Sequence, residues 1–172
     1  MALPGRAYPV TGPALAAVLD VVARHGYAVA PVAWSFPDPA DLPADPDAFV
    51  TGRLAEATPD GCDLVVGKSL GTRAASYAGE RGWPAVWVTP LLRDAAVVAG
   101  VRANPAPQLL VCGAADPLHD AEVAGDLAGP SVTVLELPGV DHALSSTGDW
   151  SVAPDILAAV ASAADDFTRR LA

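Results

Sequence analysis

The 172-residue sequence predicts a single α/β domain, 1–172: three layers, α/β/α, around a mostly parallel sheet of about six strands. Three observations carry that reading. Short apolar runs alternate with stretches of helix-forming residues. Several of those runs lack the polar alternation of a half-exposed strand, as expected where both faces of a parallel sheet are covered. The chain is also 52% hydrophobic and 17% charged, enough apolar material for one buried core and too little charge for disorder.

The elements follow in order. Only Met1-Ala2-Leu3-Pro4 is left to form a strand ahead of the first helix, so that strand is unusually short. Helix 13–25 starts at Pro13 after Thr11 or Gly12 and stops at Gly26. Strand candidates are 28–33, 63–66, 85–89, 108–112 and 131–136. Helices are expected over 46–57, 70–81, 92–102 and 117–128, with a long last one over 154–171 beginning at Pro154. The acidic, proline-rich stretch 37–47 reads as a solvated connector.

A net charge of −10 argues against partners that need a basic face, so neither nucleic acid nor an anionic membrane surface is expected. There is no run of eighteen apolar residues and no charged-then-apolar leader, and a cytoplasmic location is the expectation. Cys62 and Cys112 sit at or in strands and read as reduced thiols that behave as small buried hydrophobes. His, Cys and carboxylates are not clustered at metal-ligand spacing, and no cofactor is expected.

Chemistry concentrates at Gly67-Lys68-Ser69-Leu70-Gly71, between the strand Asp63-Leu64-Val65-Val66 and a helix-forming run. A serine between two glycines at a strand-to-helix corner is a nucleophile elbow, G-x-S-x-G. The turn is too tight for side chains at the glycine positions, and it holds the Ser69 hydroxyl at a helix N-terminus that favours negative charge. The three histidines are unequal. His25 closes the first helix and reads as structural, and His119 after Asp116-Pro117 reads as a surface residue. His142 lies in a turn-rich loop beyond the carboxyl end of strand 131–136, where a general base belongs. Asp116 follows strand 108–112 and reads as the acid that orients it, or alternatively as a helix N-cap.

With Ser69, Asp116 and His142 in that order, the chain resembles the α/β-hydrolase superfamily, in a small form without a cap and close to dienelactone-hydrolase-like and esterase members. Leu3-Pro4-Gly5-Arg6-Ala7-Tyr8 occupies the place of the oxyanion loop, Gly113-Ala114-Ala115-Asp116 matches the acid turn, and Pro138-Gly139-Val140-Asp141-His142 matches the base loop. The resemblance implies oxyanion donors at the backbone N–H groups of Leu70 and Arg6, with Ala7 as the substitute for Arg6. It implies cleavage of a small or medium carboxylic ester or thioester through an acyl-serine. The first two strands of the superfamily are absent, and Pro90 to Pro107 has room for one helix and no lid, so an open, shallow site is expected. Tyr8, Trp34, Phe36, Lys68, Leu70, Leu91, Leu118 and Val140 are expected to line its mouth. Lys68 reads either as facing an anionic substrate group or as a surface lysine.

Two rival readings remain. Gly67-Lys68-Ser69 looks like the tail of a phosphate-binding loop, but the required first glycine falls at Cys62 and the intervening residues read as strand. A hydrolase-like protein that binds a ligand or partner without turnover has the same sequence features. The oligomeric state is left open.

Overall fold

A computed structural model describes residues 1–36, 38, 41–146 and 148–171. Five parallel strands form one sheet in chain order: β1 (Ala2–Leu3), β2 (Val65–Lys68), β3 (Ala85–Val88), β4 (Gln108–Gly113) and β5 (Val132–Leu137). The helices are α1 (Pro13–Arg24), α2 (Pro46–Ala57), α3 (Ala75–Glu80), α4 (Ala95–Ala103), α5 (Ala121–Leu127) and α6 (Ala153–Arg169). Tight 3₁₀ turns at Ser69–Ala74 and Trp150–Val152 precede α3 and α6.

Strand periodicity divides the core. Leu3, Val65, Trp87 and Leu110 pack with Val50, Leu54, Ala78, Val101 and Leu127 of α2 to α5 on one face. Val66, Val86, Val88, Leu109 and Val111 pack with Leu15, Val18, Val160 and Phe167 of α1 and α6 on the other. The central strands β2, β3 and β4 are buried at every position, whereas edge strand β5 exposes Thr133 and Glu136.

The expected strand 28–33 is reduced to a single bridge, Pro31 to Ala2. Ala2 donates to Ala30 O at 2.9 Å and Val32 donates to Ala2 O at 2.8 Å. A two-residue β1 gives the segment nothing more to pair with, and Pro31, whose nitrogen faces away from β1, offers no N–H to a further strand on the outer side. The short β1 itself is as expected. From it the chain leaves through α1 to the Pro31 bridge on the outer side, then returns through α2 to β2 on the inner side. The winding therefore reverses at β1, and the crevice beyond the carboxyl ends of β1 and β2 is where such a fold binds ligands.

Helix starts differ from expectation where a carboxylate caps them. Asp94 accepts from Ala96 N and Val97 N, so α4 begins at Ala95 and not at 92. Asp120 accepts from Val123 N, so α5 begins at Ala121 and not at 117. Asp116 is thus not the cap of α5. Of the stretch 37–47, Pro37, Pro39 and Ala40 lie outside the described residues.

Candidate active site

The elbow is built as its glycines require. Ser69 has φ 49°, a left-handed conformation that costs a non-glycine residue strain. A Cβ at Gly67 would stand 2.8 Å from the Trp87 ring and 2.9 Å from Gly71 O. One at Gly71 would meet Leu3 Cβ and Leu3 O, both at 2.8 Å. The strand-to-helix corner can close only without those side chains. The first turn after the serine is 3₁₀ and not α, with Thr72 Oγ1 donating to Ser69 O at 2.6 Å.

Acid turn and base loop meet backbone to backbone. A Cβ on Gly113 would lie 2.4 Å from Val140 O and 2.7 Å from Asp141 O. Ala115 N donates to Val140 O at 2.9 Å. Asp141 folds the base loop on itself, its Oδ1 accepting from Ala143 N and Ser145 N, both at 2.9 Å. The result is a line of three side chains. Asp116 Oδ2 lies 2.6 Å from His142 Nδ1, and His142 Nε2 lies 2.8 Å from Ser69 Oγ. The carboxylate is 1% exposed and the imidazole 30%. Asp116 Oδ1 is held by Leu118 N at 2.8 Å. The ionised carboxylate can only accept, so Nδ1–H donates to it and Nε2 is left to accept the serine hydroxyl.

Ser69 and His142 open into a cavity of about 670 Å³. Tyr8, Lys68, Leu70, Leu91 and Leu118 line it, and so do Gly5, Arg6 and Ala7 of the loop after β1. Gly5 N donates to Tyr8 O at 2.8 Å, placing Arg6 and Ala7 at the tip of a tight turn. Leu42 and Leu118, 43% and 40% exposed, stand at its rim, in keeping with an uncapped site.

Three expected lining residues are elsewhere. Trp34 and Phe36 pack on Phe49 behind the loop after β1, beside a separate depression of about 300 Å³. Trp34 Nε1 donates to Gly5 O at 3.1 Å and so braces that loop from outside. Val140 is 3% exposed and belongs to the core under α1 and α6, its main chain held by the bridge to Ser146 and by Ala115 N. In their place the cavity takes Leu42 and Pro46, which come from the stretch read as a solvated connector, and Arg73. Arg73 joins Asp47 at 2.6 Å and Asp94 at 2.5 Å, tying the elbow turn to α2 and α4.

Two cationic positions also depart from expectation. Lys68 is not a surface lysine: it is 1% exposed and its Nζ donates to Thr89 Oγ1 and His142 O, both at 2.7 Å. His119 is buried, not on the surface, and its Nε2 lies 2.6 Å from Glu136 Oε2. His25 caps α1 and pairs with Asp165 of α6 at 2.7 Å, a structural contact as expected. Cys62 and Cys112 are unbonded thiols, and burial pushes that of Cys112 up to about 12. Among the described residues no cluster of three or more His, Cys, Asp or Glu is arranged to hold a metal ion, and no helix is long and apolar enough to cross a membrane.

Sheet, elbow and loops together define an α/β-hydrolase fold, and comparison with solved structures agrees over nearly the whole chain. An α/β serine hydrolase homologue from Coxiella burnetii aligns at TM-score 0.66 with 14% identity, over 99% of this chain and 83% of that one. Est1E from Butyrivibrio proteoclasticus with ferulic acid bound aligns at TM-score 0.70 with 15% identity, over 98% and 87%. The esterase Pf2001 of Pyrococcus furiosus aligns at TM-score 0.63 with 13% identity, over 97% and 82%. No family model matches the sequence, and no curated protein does.

Proposed function

We propose that this protein is a serine hydrolase that cleaves a small or medium carboxylic ester or thioester through an acyl-serine. One observation carries the reading: a buried carboxylate, an imidazole and a strained serine in hydrogen-bond sequence, with the serine at an open apolar cavity. His142 Nε2 takes the Ser69 proton as Oγ attacks the carbonyl carbon, and Asp116 stabilises the imidazolium that forms. The carbonyl oxygen, now an anion, is received by the Leu70 N–H and the Arg6 N–H, with Ala7 N–H as the substitute. The imidazolium protonates the leaving alcohol or thiol. Water, deprotonated by the same nitrogen, then splits the acyl-serine and returns the proton to Ser69.

The walls at Leu42, Leu70, Leu91 and Leu118 suit an apolar acyl group. Ferulic acid, held by one structural neighbour, is a carboxylic acid of the small to medium size proposed for the product here. The test is Ser69→Ala in a panel of short acyl esters and acyl-thioesters, with fluorophosphonate labelling alongside. Turnover should fall by about 10⁶-fold, and labelling should vanish. Hydrolysis that survives the substitution sinks the assignment.

A further inference from the structure

Lys68 is the anomaly of the site. An ammonium at 1% exposure is costly to desolvate, and both of its oxygen partners, Thr89 Oγ1 and His142 O, are neutral. Its remaining N–H faces the ring of Tyr8, whose centroid is 4.5 Å from Nζ. Three donors thus meet three acceptors from three segments: the loop after β1, the end of β3 and the base loop. A hydrophobic side chain of that length would sit in the same place at lower desolvation cost.

Backbone strain marks the same network. The non-glycine residues with positive φ are Ser69, Thr89 at 42° and Leu144 at 59° among the described residues. A β-branched residue in that region is a genuine outlier and persists only where its surroundings hold it. Thr89 is the lysine's acceptor. Leu144 belongs to the loop whose His142 carbonyl the lysine grips, and its N–H closes that loop onto Asp141 O at 3.0 Å.

We infer that Lys68 is the positioning residue for the base: its ammonium ties the His142 main chain to Thr89 and so fixes where the imidazole stands over the Ser69 oxygen. This rests on the hydrolase reading above. The lysine touches no reacting atom and acts through His142. The charged and titratable groups that face it are Tyr8 from the loop after β1, Asp116 from the acid turn, and Asp141 and His142 from the base loop. Burial lowers its pKa to about 8, against the pull of Asp116 and Asp141. Above that pH a neutral amine has two N–H groups for three acceptors, and one tie is given up.

The experiment is the pH–rate profile of hydrolysis of a short p-nitrophenyl ester by wild type, Lys68→Met and Lys68→Gln. Wild-type kcat should fall as pH rises through about 8. Lys68→Met should lower kcat roughly 10- to 100-fold with KM little changed, and should lose the alkaline fall. Lys68→Gln keeps N–H donors without titrating, so part of the rate should return with the profile still flat. A folded Lys68→Met enzyme with wild-type kcat and an intact alkaline fall overturns the inference. Should that variant fail to fold, Thr89→Ala removes one acceptor and is expected to lower kcat about 3- to 10-fold, with Thr89→Ser restoring it. Wild-type kcat in Thr89→Ala overturns the inference equally. A wild-type enzyme that hydrolyses no ester and takes no fluorophosphonate ends the hydrolase reading and this one together; an active wild type with unaffected variants ends this one alone.

Discussion

Two histidine–carboxylate pairs stand at the carboxyl ends of the paired strands β4 and β5, each closed at 2.6 Å, and they have opposite construction. In one, Asp116 is 1% exposed and the His142 side chain 30% exposed. In the other the His119 side chain is 6% exposed and Glu136 is 42% exposed. His142 offers its second nitrogen to Ser69, while His119 Nδ1 is buried with no hydrogen-bond partner among the described residues. Even the main chain is held in parallel fashion: Lys68 Nζ donates to His142 O at 2.7 Å, and Arg93 Nε donates to His119 O at 3.1 Å. Proximity of an imidazole and a carboxylate therefore does not by itself single out the general base proposed at His142. What distinguishes the two is which partner keeps contact with solvent and where the outer ring nitrogen points.

The contrast is broken most decisively through the acids. Asp116→Asn leaves the shape intact but can donate to Nδ1, favouring the tautomer in which Nε2 carries the proton and cannot accept the serine's. Ester hydrolysis should fall about 10⁴-fold. The equivalent change across the sheet edge, Glu136→Gln, should leave kcat/KM within about 2-fold, because Glu136 reaches neither the cavity nor Ser69. A large loss in the second variant would show that both pairs feed one site.

The cations sharpen the comparison next, because a lysine can lose its proton in the accessible pH range and an arginine cannot. Burial lowers Lys68 from 10.5 to about 8. Between those values the unfolded chain binds the proton that the folded one has released, so stability rises with pH across the window. At most the gain is on the order of 3 kcal/mol, complete near the upper value. Activity is expected to move the other way over the same interval, as the tie to His142 weakens. Denaturant midpoints for wild type minus Lys68→Met from pH 7 to pH 10 isolate the lysine. Tyr8, whose pKa burial raises above 10.0, acts in the opposite sense from about pH 10 upward, at the top of that range. A difference that does not change with pH would mean that Lys68 is not a buried ammonium.

How much of this was legible beforehand differs by kind of feature. Gly67, Gly71 and Gly113 announce themselves, because close backbone approach leaves a gap in the sequence that only glycine fills. The apolar strands β2, β3 and β4 are legible for a similar reason: burial on both faces makes them nearly continuous apolar runs, with Lys68 and Gln108 only at their ends. The segment 28–33 carries the same apolar composition, yet a two-residue neighbour reduces it to a bridge. Pairing depends on the partner, which composition does not report. Side-chain direction was the least legible. Trp34 and Phe36 follow a strand-like segment as pocket residues do, but the aromatic contact with Phe49 on α2 turns them behind the loop. The burial of Lys68 and His119 was not legible, because nothing local signals the carbonyl, hydroxyl and carboxylate that receive them.

The smallest expected effect concerns the outer nitrogen of His119. When Nε2–H donates to Glu136, Nδ1 is a buried acceptor with its lone pair unmatched; when the ring is protonated, a buried donor is unmatched instead. Either state carries a penalty of about 1–3 kcal/mol, set against one hydrogen bond to a half-exposed carboxylate, of lower net value. His119→Phe keeps a planar ring of similar volume, removes the orphaned atom and leaves Glu136 to water. The grip of Arg93 survives, since its acceptor is main-chain. The substitution should be neutral or stabilising by up to about 1 kcal/mol in denaturant unfolding, with kcat/KM unchanged. A loss beyond about 2 kcal/mol would mean that the polar ring supports the Asp116 turn, whose carbonyl accepts from His119 N at 3.0 Å, and the two pairs would then be one structure.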